Sequence, residues 1–300
     1  MNKKIIFSLY SNKTVAANVA KIYKAELGEV SIDHFADGEV LVKTLSEVKN
    51  KDVVIVESTA KKAHERIFEL LLLIDSIKRG EPNSIKLYIP YLGYSRQERV
   101  SWTNEPISCE VVARILDAAK VDKILTFDIH HPDIKKFFKT PFESIPTTEL
   151  FAAYYNNYLK KHHINGEDVI VVSPDHGANL RADQLANLIP GSKKVILNKT
   201  RPAPNFVERL NVENKEVQGK VCIIIDDIID TGGTIISATE LLFVQGAKSV
   251  LVGASHAVLS NNCLHRLSEV NIDDIVFTNT IEQDLPKNIH VLDISKYIKV

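Results

Sequence analysis

Short apolar runs of strand type alternate with longer amphipathic stretches along almost the whole chain, and this alternation constrains the fold more than any other feature. The runs lie at 5–9, 53–57, 85–89 and 124–127 in the first half, and at 169–172, 195–197, 221–225, 250–252 and 275–277 in the second. Most are nearly continuously apolar, as strands covered on both faces should be, whereas a strand with one wet face would alternate. Between them lie helical spacings: Val15/Val19/Ile22, Ile67/Leu70/Leu71/Ile74/Ile77 and Val111/Val112/Ile115/Leu116. Strand and helix in turn imply parallel sheets, an α/β architecture.

At 300 residues the chain exceeds the usual size of one core and suggests two domains. Pro141 and Pro146 interrupt the pattern, so the expected boundary separates 1–145 from 146–300. Each half carries a strand running into an Asp/His/Pro turn, 127–133 in one and 173–177 in the other, which suggests a duplicated architecture. A formal net charge of -1 gives no drive toward nucleic acid or anionic lipid. Neither a nucleic-acid nor a membrane partner is expected. Cys109, Cys222 and Cys263 are widely spaced and form neither a zinc pattern nor a disulfide framework, which fits a reducing cytoplasm. Cys222, inside an apolar strand, reads as a small core residue. The N-terminus lacks the apolar stretch of a signal peptide and reads as a first strand. The apolar run 70–74 sits in a helical pattern too short to span a bilayer.

The chemistry concentrates at 221–234. An apolar strand ends in Asp226 and Asp227; Asp230 then leads into Thr231-Gly232-Gly233-Thr234, followed by helical spacing through Ile235, Ala238, Leu241 and Leu242. A turn of this kind presents backbone N–H groups and hydroxyls at a helix N-terminus, where phosphate is favoured. Ionised carboxylates accept hydrogen bonds from neighbouring hydroxyls, as in a ribose diol. Sugar phosphate is the first reading; a bare Asp-Asp can also simply cap a helix, and Gly-Gly can simply turn the chain.

Four further stretches carry candidates, each with a plainer reading beside it. Arg96, Gln97 and Arg99 follow a strand and its Pro90, a place suited to nucleotide phosphates and base, or form a solvated loop. After them 100–105 reads as a mobile loop, and Pro106 as lying near a helix start. His130 lies in the turn from Asp128 to Asp133, as a metal ligand or a hydrogen-bonded structural histidine; Mg²⁺ needs few protein ligands but prefers oxygen. Lys199 and Arg201 alternate along an extended segment and fall on one side of it, as phosphoryl transfer would want or as any surface pair can. Phe35, ahead of the turn Asp37-Gly38-Glu39, can stack on a purine or pack in a core. No P-loop string occurs, so ATP, if used, is held otherwise.

Taken in order, these landmarks resemble the ribose-phosphate pyrophosphokinases, the synthetases of 5-phosphoribosyl-1-pyrophosphate (PRPP), over nearly the whole chain. The segment 226–234 also resembles the PRPP loop of type I phosphoribosyltransferases. The resemblance implies two similar type I phosphoribosyltransferase-like domains with parallel sheets, the first on the ATP side and the second on the ribose 5-phosphate side. It implies transfer of the β,γ-diphosphoryl group of ATP to C1 of ribose 5-phosphate. By the same resemblance Phe35, Asp37, Glu39, Arg96, Gln97 and Arg99 hold ATP, and His130 and Asp175 position Mg²⁺. Asp226, Asp227, Asp230, Thr231, Gly232, Gly233 and Thr234 hold ribose 5-phosphate, while Lys199 and Arg201 form a mobile cationic pair completing the site, Arg201 also touching the sugar phosphate. A homo-oligomer built from dimers, up to a hexamer, is expected.

Two departures stand out: the loop 100–104 lacks the Lys and Arg common in the family, and many relatives continue past Val300. The second puts allosteric control by phosphate and ADP in doubt. The main rival is a catalytically silent synthetase-like subunit, against which Lys199, Arg201, His130 and Asp175 argue. A phosphoribosyltransferase would leave the first half idle, and a PRPP-sensing transcriptional regulator would want a basic DNA-reading helix.

Overall fold

The computed structural model describes residues 3–200, 209–211 and 215–300. The chain divides into two units. Unit 1 comprises Met1–Ile145, Asn279–Gln283 and Asp293–Val300; unit 2 comprises Pro146–Thr278 and Asp284–Leu292.

Unit 1 opens with β1 (Lys4–Phe7), α1 (Lys13–Tyr23) and β2 (Glu26–Leu27), followed by an antiparallel hairpin of β3 (Val30–His34) and β4 (Val40–Thr44). Then come β5 (Asp52–Val56), α2 (Ala63–Arg79), β6 (Ser84–Ile89), α3 (Ser108–Ala118), β7 (Lys123–Phe127) and β8 (Phe142–Ile145). Its six-stranded sheet has the order β2-β1-β5-β6-β7-β8, and every neighbouring pair is parallel.

Unit 2 begins with α4 (Thr148–Lys161) and then repeats the plan: β9 (Val169–Ser173), α5 (Asn179–Leu188), β10 (Lys193–Ile196) and a hairpin of β11 (Asn198–Thr200) and β12 (Arg209–Asn211). It continues with β13 (Val221–Ile229), α6 (Gly233–Val244), β14 (Ser249–Ala257), α7 (Cys263–Ser268), β15 (Asp274–Thr278) and β16 (Ile289–Leu292). The sheet order is β10-β9-β13-β14-β15-β16, again all parallel. Strand for strand the two orders coincide, hairpin insertion included, so the suspected duplication is real at the level of topology.

Two-sided burial explains the apolar runs. Along β13, Cys222 and Ile224 pack in one core with Val250 and Val252, while Val221, Ile223 and Ile225 pack in another with Leu251 and Tyr155. Successive strand side chains point to opposite faces, so both faces must be apolar where both are covered. Cys222 is a buried free thiol, as expected, and burial pushes it up to about 12.

Every expected strand is present. Two are longer than the sequence suggests: β13 and β14 stay paired through Ile229 and Ala257. Polar residues at Asp226, Asp227, Ser255 and His256 end the apolar run, but backbone pairing does not require apolar side chains, so the ladder continues past them. The hairpin β3–β4 escaped the sequence reading because half-buried Ser31 and exposed Asp33 and Lys43 interrupt its valines and Ile32.

The chain's last segments return to unit 1. Glu282 caps α1, its carboxylate accepting from the N–H groups of Thr14 (3.1 Å) and Val15 (2.6 Å). Asn12 donates to the carbonyls of Asn279 and Thr280, and the Tyr88 hydroxyl exchanges hydrogen bonds with the Lys299 backbone at 3.0 Å. Among the described residues no helix is long and apolar enough to cross a membrane.

Ile224 is fully buried on β13 between β9 and β14. Truncation to alanine leaves a cavity and is expected to lower the unfolding free energy by about 2–5 kcal/mol. Urea unfolding measures this, and a loss under about 1 kcal/mol would contradict the packing described.

Candidate active site

In both sheets the connection from the first strand runs to one side and the connection from the third strand runs to the other. In unit 2 this reversal falls between β9 and β13. Ligands of open α/β sheets bind in the crevice beyond the carboxyl ends of the strands at such a point. The register makes the crevice: β9 and β13 pair only as far as Val172 and Ile224, whereas β13 continues with β14 to Ile229. Asp226 and Asp227 therefore sit on a strand segment that overhangs the end of β9.

Three carboxylates gather there. Asp227 is 6% exposed and faces Arg181 of α5, with Nη1 3.7 Å from Oδ1. Asp226 accepts the Asp227 N–H at 2.8 Å. Burial holds the Asp226 carboxyl well above the usual range; the Asp227 and Asp175 carboxylates add to this and Arg181 opposes it. Asp175, just past β9, uses Oδ1 to accept from Gly177 (2.9 Å) and Ala178 (3.2 Å), shaping the turn into α5. Arg181 was not singled out from the sequence. Its only signal there is its place six residues after Asp175, on a helix that the pattern did not mark.

Beyond Asp230, Gly232 adopts φ 79° at the N-cap of α6. A Cβ at Gly232 would meet Cys263 Sγ at 2.9 Å, so both the backbone conformation and the space call for glycine. Arg266 of α7 donates from Nη1 to the Thr231 carbonyl at 2.8 Å and holds the turn from outside. The first turn of α6 has no acidic residue and no side-chain cap. Its leading N–H groups have no intrahelical acceptor by helix geometry and carry the positive end of the dipole. Asp226, Asp227, Asp230, Thr231, Gly232, Gly233 and Thr234 are thus brought together in unit 2, with Asp175 beside them.

The expected nucleotide residues lie in unit 1. Arg96 and Arg99 are exposed in the loop after β6; Arg99 Nε stands 3.6 Å from Glu98. Gln97 is tied to the start of α3, accepting from Ser108 Oγ at 2.6 Å through its side chain and from Cys109 N–H through its carbonyl. The expected mobile loop is closed by Glu105, whose carboxylate accepts from the Ser101 and Trp102 N–H groups. His130 is exposed in the turn after β7, and β7 pairs with β6, which sets the two loops on neighbouring strands. Phe35, Asp37 and Glu39 form the exposed tip of the β3–β4 hairpin, where Asp37 accepts the Glu39 N–H; Phe35 is no core residue. Lys199 lies on β11 with its backbone opposite Leu210. Arg201 falls outside the described residues. Among the described residues no three His, Cys, Asp or Glu side chains converge as a metal nest.

Residues 4–119 match the N-terminal domain of ribose phosphate pyrophosphokinase, and residues 186–299 match the phosphoribosyl synthetase-associated domain. A ribose-phosphate pyrophosphokinase from Listeria ivanovii is 39% identical over 92% of this chain and 85% of its own length. The chain belongs to the ribose-phosphate pyrophosphokinase family. Another pyrophosphokinase, from Bacillus cereus, is 37% identical over 98% of this chain and 91% of its own. The crystal structure of a phosphoribosylpyrophosphate synthetase from Mycobacterium smegmatis superposes with a TM-score of 0.88 at 31% identity, covering 99% of this chain and 96% of that one. As a ribose-phosphate pyrophosphokinase the chain is an enzyme, a ribose-phosphate diphosphokinase: the β,γ-diphosphoryl group of ATP passes to C1 of ribose 5-phosphate, giving PRPP and AMP.

The raised Asp226 has a measurable consequence. A carboxyl whose folded pKa exceeds its unfolded value costs the fold stability as pH rises from the unfolded value, about 4, through the folded one. Asp226→Asn keeps the oxygen that accepts the Asp227 N–H and removes that cost. In the ligand-free protein the variant is expected to melt about 2–4 °C higher than the parent near neutrality, a gain of about 1 kcal/mol, and no higher below pH 4. A variant less stable than the parent near neutrality would mean that Asp226 carries no such penalty.

Proposed function

We propose that the turn after β13 holds ribose 5-phosphate and that the loops after β6 and β7 hold ATP. The phosphate sits on the N–H groups and hydroxyls from Asp230 to Thr234, where the dipole of α6 favours it. Asp226 and Asp227 accept from the ribose diol. The observation that supports this best is the pairing of opposites around one turn: half-buried Asp226 and buried Asp227 on the overhang of β13, and an acid-free helix N-terminus opened by Gly232. Arg96, Gln97 and Arg99 bind the nucleotide, with Phe35, Asp37 and Glu39 as further ATP contacts. Gln97 must first exchange its Ser108 partner for the ligand.

Asp175 and His130 are the proposed Mg²⁺ ligands. Among the described residues Asp175 Oδ1 is taken by backbone donors while Oδ2 has no hydrogen-bond partner, which suits an oxygen-seeking cation. Mg²⁺ would neutralise charge on the phosphate oxygens. The C1 hydroxyl oxygen attacks the β-phosphorus in line, the bond from that phosphorus to the bridging oxygen of the α-phosphate breaks, and AMP leaves. Lys199 and Arg201 stabilise charge spread over the non-bridging oxygens, so positioning and electrostatics supply most of the rate. The three buried free cysteines fit a reducing cytoplasm, and a dimer-based homo-oligomer is part of this reading.

The roles separate in two measurements. With ribose 5-phosphate and Mg-ATP, AMP and PRPP should appear in equal amounts; ADP in place of AMP would end the proposal for C1 diphosphoryl transfer. Lys199→Ala is expected to lose about 10²–10³-fold in rate, as for one transition-state donor, while ribose 5-phosphate still binds in calorimetry. Loss of that binding would move Lys199 into ground-state recognition.

A further inference from the structure

The same topological reversal occurs in unit 1, between β1 and β5. Phe7 pairs with Ile55, and Val172 pairs with Ile224. Phe7 and Val172 are each followed by a serine, and two residues beyond their partners stand Glu57 and Asp226. Glu57 thus holds in unit 1 the position that Asp226 holds in unit 2. The environments differ. Glu57 is fully buried, and its carboxylate receives a ring of donors from the loop after β1. Oε2 accepts from Ser8 Oγ (3.0 Å), Leu9 N–H (2.8 Å) and Tyr10 N–H (3.1 Å); Oε1 accepts from Ser11 N–H (2.9 Å) and Tyr10 N–H (3.2 Å). Three consecutive backbone N–H groups aimed at one point form an anion-binding concavity of the kind that elsewhere holds phosphate. Asp226, one methylene shorter, accepts instead from its neighbour Asp227.

We propose that the loop 8–11 is an oxyanion cradle whose ligand is the chain's own Glu57. Unit 1 keeps the architecture of a phosphate-binding unit, but the crevice beyond β1 and β5, apart from the loops after β6 and β7, is filled from within by Glu57. A second carboxylate completes the closure: Glu282 takes the N–H groups of Thr14 and Val15 at the start of α1. Asn12 seals the space between, accepting the Ser58 N–H at 2.7 Å and donating to the Thr280 carbonyl. Burial holds the Glu57 carboxyl above its ordinary range, and the Ser11 and Leu9 N–H groups oppose that shift. Without those donors a charge so deeply buried would be far more costly. The crevice after β13 therefore has no open counterpart beyond β1 and β5.

Removing the side chain should empty the cradle and make it bind a carboxylate from solution. The probe is sodium acetate against sodium chloride at equal ionic strength, with thermal unfolding of the full chain as the readout. Glu57→Ala is expected to melt below the parent, and acetate should raise its melting temperature by several degrees more than it raises the parent's. Glu57→Gln, whose amide fills the same space, should also melt lower but gain no more from acetate than the parent does. If Glu57→Ala does not fold in chloride, refolding from urea decides: recovery in acetate alone supports the cradle, and no recovery in either salt overturns it. Equal acetate responses in parent and alanine variant, or an alanine variant as stable as the parent, would also overturn it.

Discussion

The unequal length of neighbouring strands governs this protein. β13 outruns β9 yet stays paired to β14, so a stretch of regular backbone projects past the layer of side chains that would otherwise bury it on every side. On that projection, charged residues can be held rigidly and partly wet at once. The apolar cores on both faces anchor the strand through Ile225, and the carboxylates begin one residue later. Placement of the acids is thus a by-product of core packing, which is stiff, rather than of loop conformation, which is soft.

The charges around the turn are arranged as opposites in close succession. Asp226 and Asp227 are crowded and desolvated with Arg181 in partial compensation, while a few residues further on the start of α6 offers positive potential. A ligand with a diol at one end and a phosphate at the other satisfies both; an inorganic ion satisfies only one. The buttress from α7, with Cys263 under Gly232 and Arg266 on the Thr231 carbonyl, keeps the spacing from relaxing.

Much of this was legible in the residues, for identifiable reasons. Short apolar runs alternating with amphipathic stretches are what two-sided strands between helices require, so the parallel sheets followed, while a run such as 70–74 is apolar inside a helix. The acid-rich turn was legible because Gly232 and the acids have few other uses in that order. Arg181 and Arg266 were not, since an arginine on a helix looks the same in sequence whether it faces solvent, the Asp227 carboxylate or the Thr231 carbonyl. Glu57 was hidden for the same reason: its donors are backbone groups of residues 9–11, which no side-chain pattern encodes. The ends of β13 and β14 were lost because composition reports burial, whereas the ladder is a property of the main chain.

Finally, the return of the chain's last residues to the first unit bears on how the molecule is made. Glu282, Thr280 and Lys299 complete hydrogen bonds with Thr14, Asn12 and Tyr88 across more than two hundred positions. Synthesis proceeds from the N-terminus, and domains commonly settle as they emerge from the ribosome. Here α1 waits for its cap until Glu282 has been made, so a helix synthesised early is finished late.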